Sequence, residues 1–109
     1  MAKHEFGIMK HNPKPSVRYD AYEPQKYNNI SVDDDYIEQI APRLNDVKIY
    51  WHSLEMPAKG LAYCGITLIP PASIERTIEV IKTVDELSDL EQLLQKALNE
   101  NKWVIHFGL

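Results

Sequence analysis

The sequence predicts an α+β fold: one antiparallel sheet of four strands, with helices packed on a single face. Three observations carry this expectation. Residues 4–10, 47–54 and 102–107 alternate apolar and polar side chains at period two, and residues 61–69 form a short apolar run between turn signals. Two stretches, one after Asp33 and one after Pro70, instead space their apolar residues at helical period. The chain has 109 residues, 44% of them apolar, which suits a single domain over 1–109 with one core.

The first strand, His4–Lys10, sets Phe6 and Ile8 against Glu5, Gly7 and Met9. Residues 12–29, NPKPSVRYDAYEPQKYNN, follow as an irregular loop. Their three prolines block helix and sheet continuity, while Tyr19, Tyr22 and Tyr27 make the segment too aromatic for a free linker. A loop of this length in a compact domain is either functional or packed down. Asp33–Asp35 opens a helix, with Asp35 and Glu38 at capping-box spacing and carboxylates where the helix dipole favours them. Ile37, Ile40 and Leu44 mark its buried face, and Pro42 should kink or tighten it.

In VKIYWHSL (47–54), Val47, Ile49 and Trp51 oppose Lys48, Tyr50 and His52, the pattern of a half-buried strand. EMPAKG then supplies a turn, and LAYCGITLI (61–69) returns as the partner of an antiparallel hairpin. Pro70–Pro71 ends that strand, with Pro71 suited to the first helical position. Ile74, Ile78 and Ile81 continue as a helix. After a break at 83–85, with Thr83 and Glu86 as a second capping box, Leu87, Leu90, Leu94, Ala97 and Leu98 mark another. In KWVIHF, Trp103, Ile105 and Phe107 oppose Val104 and His106. The resulting order is β-α-β-β-α(α)-β, the ferredoxin-like or split βαβ plan. Right-handed crossovers place the first and third strands centrally and the second and fourth at the edges.

Charge and composition narrow the function. The net charge is −4, divided as +2 over residues 1–32 and −6 over residues 33–109. That sign argues against nucleic acid, and the basic, glycine-rich aromatic signature of sheet-based RNA binders is missing. A single cysteine excludes an internal disulfide and fits a reducing cytoplasm. The opening MAKHEFGIMK lacks the apolar run of a signal peptide, and no run approaches the ~20 residues of a membrane span. A strand-like segment reaching Leu109 predicts a complete chain without a C-terminal tail.

Strand parity predicts that Ala62, Cys64, Ile66 and Leu68 meet the helices. Cys64 is then a small buried hydrophobe, with His52 on the opposite side of the sheet, so a Cys–His dyad is not expected. Gly7 and Gly65 should lie on neighbouring central strands facing away from the helices. Tyr50, His52, Tyr63, Thr67, Val104 and His106 would surround them as a shallow trough. Three fillers compete for it: a tyrosine of the 12–29 loop, a second copy of the chain, or a small-molecule ligand.

The four histidines lack metal-ligand spacing, and Asp33–Asp35 lacks the rest of a calcium loop, so no metal or cofactor is expected. Lys14, Arg18 and Lys26 interleave with the loop tyrosines, a combination suited to an acidic peptide, a protein or a small anion. Two functions follow. The preferred one is a small cytoplasmic interaction or regulatory protein without catalysis, contacting a protein partner or a second copy through Tyr19, Tyr22, Tyr27 and the sheet face. The alternative is a small enzyme or ligand binder of the dimeric α+β-barrel kind, with His52 or His106 as general base.

Overall fold

The computed structural model describes residues 2–109, so Met1 of the expected domain lies outside them. The fold is α+β, but the sheet has six strands rather than four. They are β1 (Lys3–Ile8), β2 (Ile30–Asp33), β3 (Lys48–Trp51), β4 (Pro57–Lys59), β5 (Ile66–Ile69) and β6 (Val104–Phe107). The spatial order is β2-β1-β6-β5-β3-β4, with every neighbouring pair antiparallel. Three α-helices complete it: α1 (Asp34–Ile40), α2 (Pro71–Ile81) and α3 (Ser88–Asn99).

The ferredoxin-like order is therefore wrong in two respects. First, the C-terminal strand is not an edge. It inserts between β1 and β5, pairing Phe6 with His106 on one side and Thr67 with His106 on the other. Second, the true edges come from stretches that carry little strand pattern. β2 lies at the end of the tyrosine loop, and β4 lies inside the expected EMPAKG turn. A three-residue strand that begins with proline and ends with lysine suits an edge, where a missing N–H costs nothing and a charge deters further pairing.

Both faces of the central strands are buried. All four positions of β5 and all four of β6 are inaccessible, as in strands covered on both sides rather than half-exposed ones. On one face, Phe6, Ile49, Ile69 and Val104 pack with Ile37, Ile40, Ile74, Ile78, Ile81, Leu90, Leu94 and Ala97 from the helices. Burying each of the larger side chains contributes roughly 1.5–3 kcal/mol. On the other face, Met9, Ile66, Leu68, Ile105 and Phe107 form a second cluster, roofed by Tyr19 and Tyr27 of the loop and flanked by Tyr50 and Trp103. Parity holds for β1 and β3 and is reversed for β5 and β6: Thr67, Val104 and His106 turn to the helices, while Ile66 and Leu68 turn to the loop.

The hairpin expected over 47–69 is also shorter and more broken. β3 and β5 are antiparallel neighbours, but β3 ends at Trp51, and His52 adopts a left-handed φ of 64° that interrupts the alternation. Residues 62–65 are a turn closed by a 3.0 Å bond from the Gly65 N–H to the Ala62 carbonyl. Cys64 sits in this turn and is exposed, not buried against the helices.

The prolines act as their chemistry dictates. Pro42 ends α1 in a tighter 3-10 turn over Ala41–Leu44, and Pro71 occupies the first turn of α2. The two capping boxes do not form. α1 starts at Asp34 without a side-chain cap, and the Thr83 hydroxyl donates instead to the Val80 carbonyl at 2.7 Å.

Candidate functional site

The glycine-floored trough does not exist as one site, because each glycine has its own cover. Tyr27 rests on Gly7 so closely that a Cβ there would collide with its Cβ. The His52 ring lies over Gly65, with Nε2 2.8 Å from where a Cβ would stand. Gly65 is in the turn before β5, not beside Gly7 on a neighbouring strand. The chain's own loop fills the space over the central strands. Tyr22 and Tyr27 both approach the Phe107 ring, at centroid separations of 5.3 and 5.9 Å, and Tyr50 packs on Trp103 at 5.6 Å.

The candidate bases His52 and His106 have very different surroundings. His106 is fully buried among the helices as part of a polar chain, which runs from Thr67 through His106 and His4 to Asp34. His106 Nδ1 lies 3.0 Å from Thr67 Oγ1, and its Nε2 lies 2.8 Å from His4 Nδ1. His4 Nε2 lies 2.9 Å from Asp34 Oδ1, and the Tyr63 hydroxyl donates to the same oxygen. At the inner end the Ala62 N–H donates to Thr67 Oγ1 at 2.9 Å.

One proton arrangement satisfies every member with both imidazoles neutral. Thr67 donates to His106 Nδ1, His106 Nε2–H donates to His4 Nδ1, and His4 Nε2–H donates to the carboxylate. Electrostatics favour its two ends. Complete burial, and then the proximity of His4, push the His106 pKa down to about 3. Hydrogen bonds from Tyr63 and then His4 hold the Asp34 carboxyl below its ordinary value, while the bond to Asp34 pushes the Tyr63 phenol up to about 12. His4, Thr67 and His106 are all wholly inaccessible. No substrate can reach His106 without opening the core, so its part is to join β1, β5, β6 and the start of α1.

His52 stands at the loop side. Its Nδ1 is 2.9 Å from Asp20 Oδ1 without forming an aligned hydrogen bond, and Asp20 is itself clamped by Arg18 at 2.7 and 3.2 Å. Among the described residues no hydrogen bond joins His52 to Cys64. Nor do three metal-ligating side chains converge among them.

Tyr63, expected beside the trough, belongs to the opposite face, edge-on to the His4 ring at 5.1 Å. Sequence reasoning missed Asp34, His4 and Thr67 as a unit. A carboxylate at a helix start reads as capping, and the partners of Asp34 lie 30 and 29 residues away in sequence.

A groove that no motif announced opens between the 3-10 turn Pro24–Tyr27 and the outer side of α3, with a volume of about 740 Å³. Its charged lining is Lys10, Lys26, Lys96 and Lys102 against Asp89 and Glu100, an excess of two positive charges. Ile8, Tyr27, Ile30 and Leu93 supply its apolar surface. Lys102 is 3.3 Å from Glu100, and Lys26 is 2.6 Å from Glu23, whereas Lys10 and Lys96 have no carboxylate within 4.0 Å among the described residues. Comparison of the chain with family models, curated proteins and solved structures yields no match.

Proposed function

We propose that the protein is a binding module that holds an acidic segment of a partner protein in the groove between the Pro24–Tyr27 turn and α3. One observation carries this reading. A chain of net charge −4 gathers four lysines against two carboxylates in a single groove, and two of those lysines have no carboxylate partner among the described residues. Such a local reversal of sign steers an oppositely charged partner and excludes like-charged ones. The loop contributes Lys26 and Tyr27, so the cation–tyrosine combination in the sequence supplies one wall. The apolar floor lets the partner bury side chains between its carboxylates.

Binding is a better fit than base catalysis. His106 is sealed, and the larger grooves are lined by residues other than His52. A sheet-to-sheet pairing with a second copy would need the face that the loop already occupies. The test is fluorescence anisotropy with a labelled glutamate-rich peptide containing leucines. Binding should weaken steeply with added salt and be lost in the Lys10→Glu, Lys96→Glu double variant. Unchanged affinity in that variant, or tighter binding of a single-stranded oligonucleotide than of the peptide, would overturn the reading.

A further inference from the structure

The loop covers the central strands but leaves the β3–β4 end of the sheet open. There the chain forms a second groove of about 660 Å³, within the range that encloses small ligands. Tyr50, Pro57, Ala58, Pro70 and Ala72 make it largely apolar, and Lys48 and Lys59 stand at its margin. The register places those two lysines directly opposite each other, on the row next to Tyr50 and Pro57. Like charges in direct cross-strand register destabilise a sheet. Neither ammonium has a carboxylate within 4.0 Å among the described residues.

Lysine on an edge strand commonly deters further pairing, and that explains Lys59 on β4. It does not explain the juxtaposition itself: Lys48 lies two residues before Tyr50, where the pairing with β5 begins, so its one strand neighbour is β4, and the residue it faces there is Lys59. A single anion between the two ammonium groups would remove their repulsion, and the adjoining apolar surface would take the rest of the same molecule. From this geometry we infer a site for a small amphipathic carboxylate, its charged head between Lys48 and Lys59 and its hydrocarbon body over Tyr50, Pro57 and Pro70. The site is distinct from the lysine groove beside α3 and does not depend on it.

Octanoate and 3-phenylpropionate are suitable probes, with octanamide as the neutral counterpart of the first. In a titration followed by backbone amide shifts, the carboxylates should move residues 48–50, 58–59 and 72–73. Octanamide should bind about tenfold more weakly, the loss of roughly one ionic contact. The Lys48→Ala, Lys59→Ala double variant should lose octanoate binding by a similar factor, while its unliganded melting temperature holds or rises because the repulsion is gone. That last result separates a binding role from a structural one. Equal affinity for octanamide, undiminished octanoate binding in the double variant, or shifts confined to other residues would each overturn the site. So would shifts that fail to saturate with either carboxylate by about 10 mM.

Discussion

The helix-covered and loop-covered faces of the sheet are both buried, yet they are closed by opposite means. Under the helices, an apolar layer of isoleucines and leucines contains a single polar chain, Thr67–His106–His4–Asp34. Under the loop, the buried centre of the sheet is apolar, made by Ile66, Leu68, Ile105 and Phe107, and the cover above it is carried by tyrosines, Tyr19 and Tyr27, whose rings pack onto that centre. The contrast shows where specificity resides in each face. Regular helices could slide or repack on a uniform hydrocarbon surface, and a chain of directional bonds fixes one arrangement. An irregular loop has no periodic surface to slide, so close contact with a glycine suffices to seat it.

The largest effect is expected from breaking the polar chain. Replacing His106 with alanine removes the partner of Thr67 and of His4 Nδ1 and leaves a cavity, which should cost about 4 kcal/mol in denaturant unfolding. The same variant should flatten the acid limb of stability. His106 has a folded-state pKa of about 3, below its ordinary value of about 6.5 when unfolded. A depressed pKa contributes stability that is present above pH 6.5 and lost as pH falls towards 3, because the unfolded chain takes up a proton that the folded chain refuses. The slope should approach about 1.4 kcal/mol per pH unit in the wild type and be much shallower in His106→Ala, as measured by unfolding between pH 7 and 4.

The loop-covered face is broken most directly at Gly7. Valine suits a strand by propensity, but its Cβ would meet both the Cβ and the carbonyl oxygen of Tyr27. The loop must therefore lift from Phe107. Gly7→Val should destabilise by about 3 kcal/mol, near the upper end for overpacked sites. If the loop responds locally, limited proteolysis should cut within residues 10–29 while the helical core stays resistant. Cleavage spread evenly through the chain would show instead that the two faces fold as one unit.

What could be read from the sequence follows the same division. The helices were legible because Ile37, Ile40, Ile74, Ile78, Ile81, Leu90 and Leu94 recur at helical period on one side, and Pro42 and Pro71 have only one local meaning. β1 and β3 kept their facing because one side of each is plainly richer in apolar groups. β5 and β6 reversed for a physical reason. Ile66, Leu68, Ile105 and Phe107 are more apolar than Thr67 and His106, so a sheet with one wet face would turn them to the helices. With both faces dry, that ranking no longer says which side is which. β4 was illegible because three residues, one of them proline, carry no periodicity, and β2 because its alternation of Ile30 and Val32 with Ser31 and Asp33 spans only four residues before the helix begins; pairing makes both of them strands. Cys64 and His52 fell to turns that ended the alternation early. The buried chain was illegible because its sequence separations of 30 to 102 residues carry no local trace, and the lysine groove because its two walls, around Lys26 and around Lys96, lie 70 residues apart.

At the outer end of the polar chain a subtler change sharpens the comparison. Tyr63→Phe keeps the ring against His4 and deletes only the hydroxyl that donates to Asp34. Because that bond is the largest influence lowering the Asp34 pKa, the variant should raise it towards the ordinary aspartate value. The midpoint of the Asp34 titration, followed by carboxyl carbon shifts, should move upward. Stability at low pH should then change less steeply, since a carboxylate with a less depressed pKa has less to lose on protonation.

The smallest effect is expected at the other aspartate–histidine contact, and it makes the comparison sharpest. Asp20 and His52 are 2.9 Å apart, the same separation as Asp34 and His4, yet Asp20 is about half exposed and already holds Arg18 through two bonds. Water competes for the half-exposed carboxylate and its Arg18 bonds, the contact with His52 is not an aligned hydrogen bond, and exposed ion pairs of this kind contribute little. Asp20→Asn should leave the melting temperature at pH 7 unchanged and produce no new proteolytic site in the loop, because Tyr27 on Gly7 and the rings on Phe107 still seat it. A clear fall in melting temperature would mean that the loop is held by its charges rather than by its tyrosines. The loop-covered face would then depend on directional polar contacts just as the helix-covered one does.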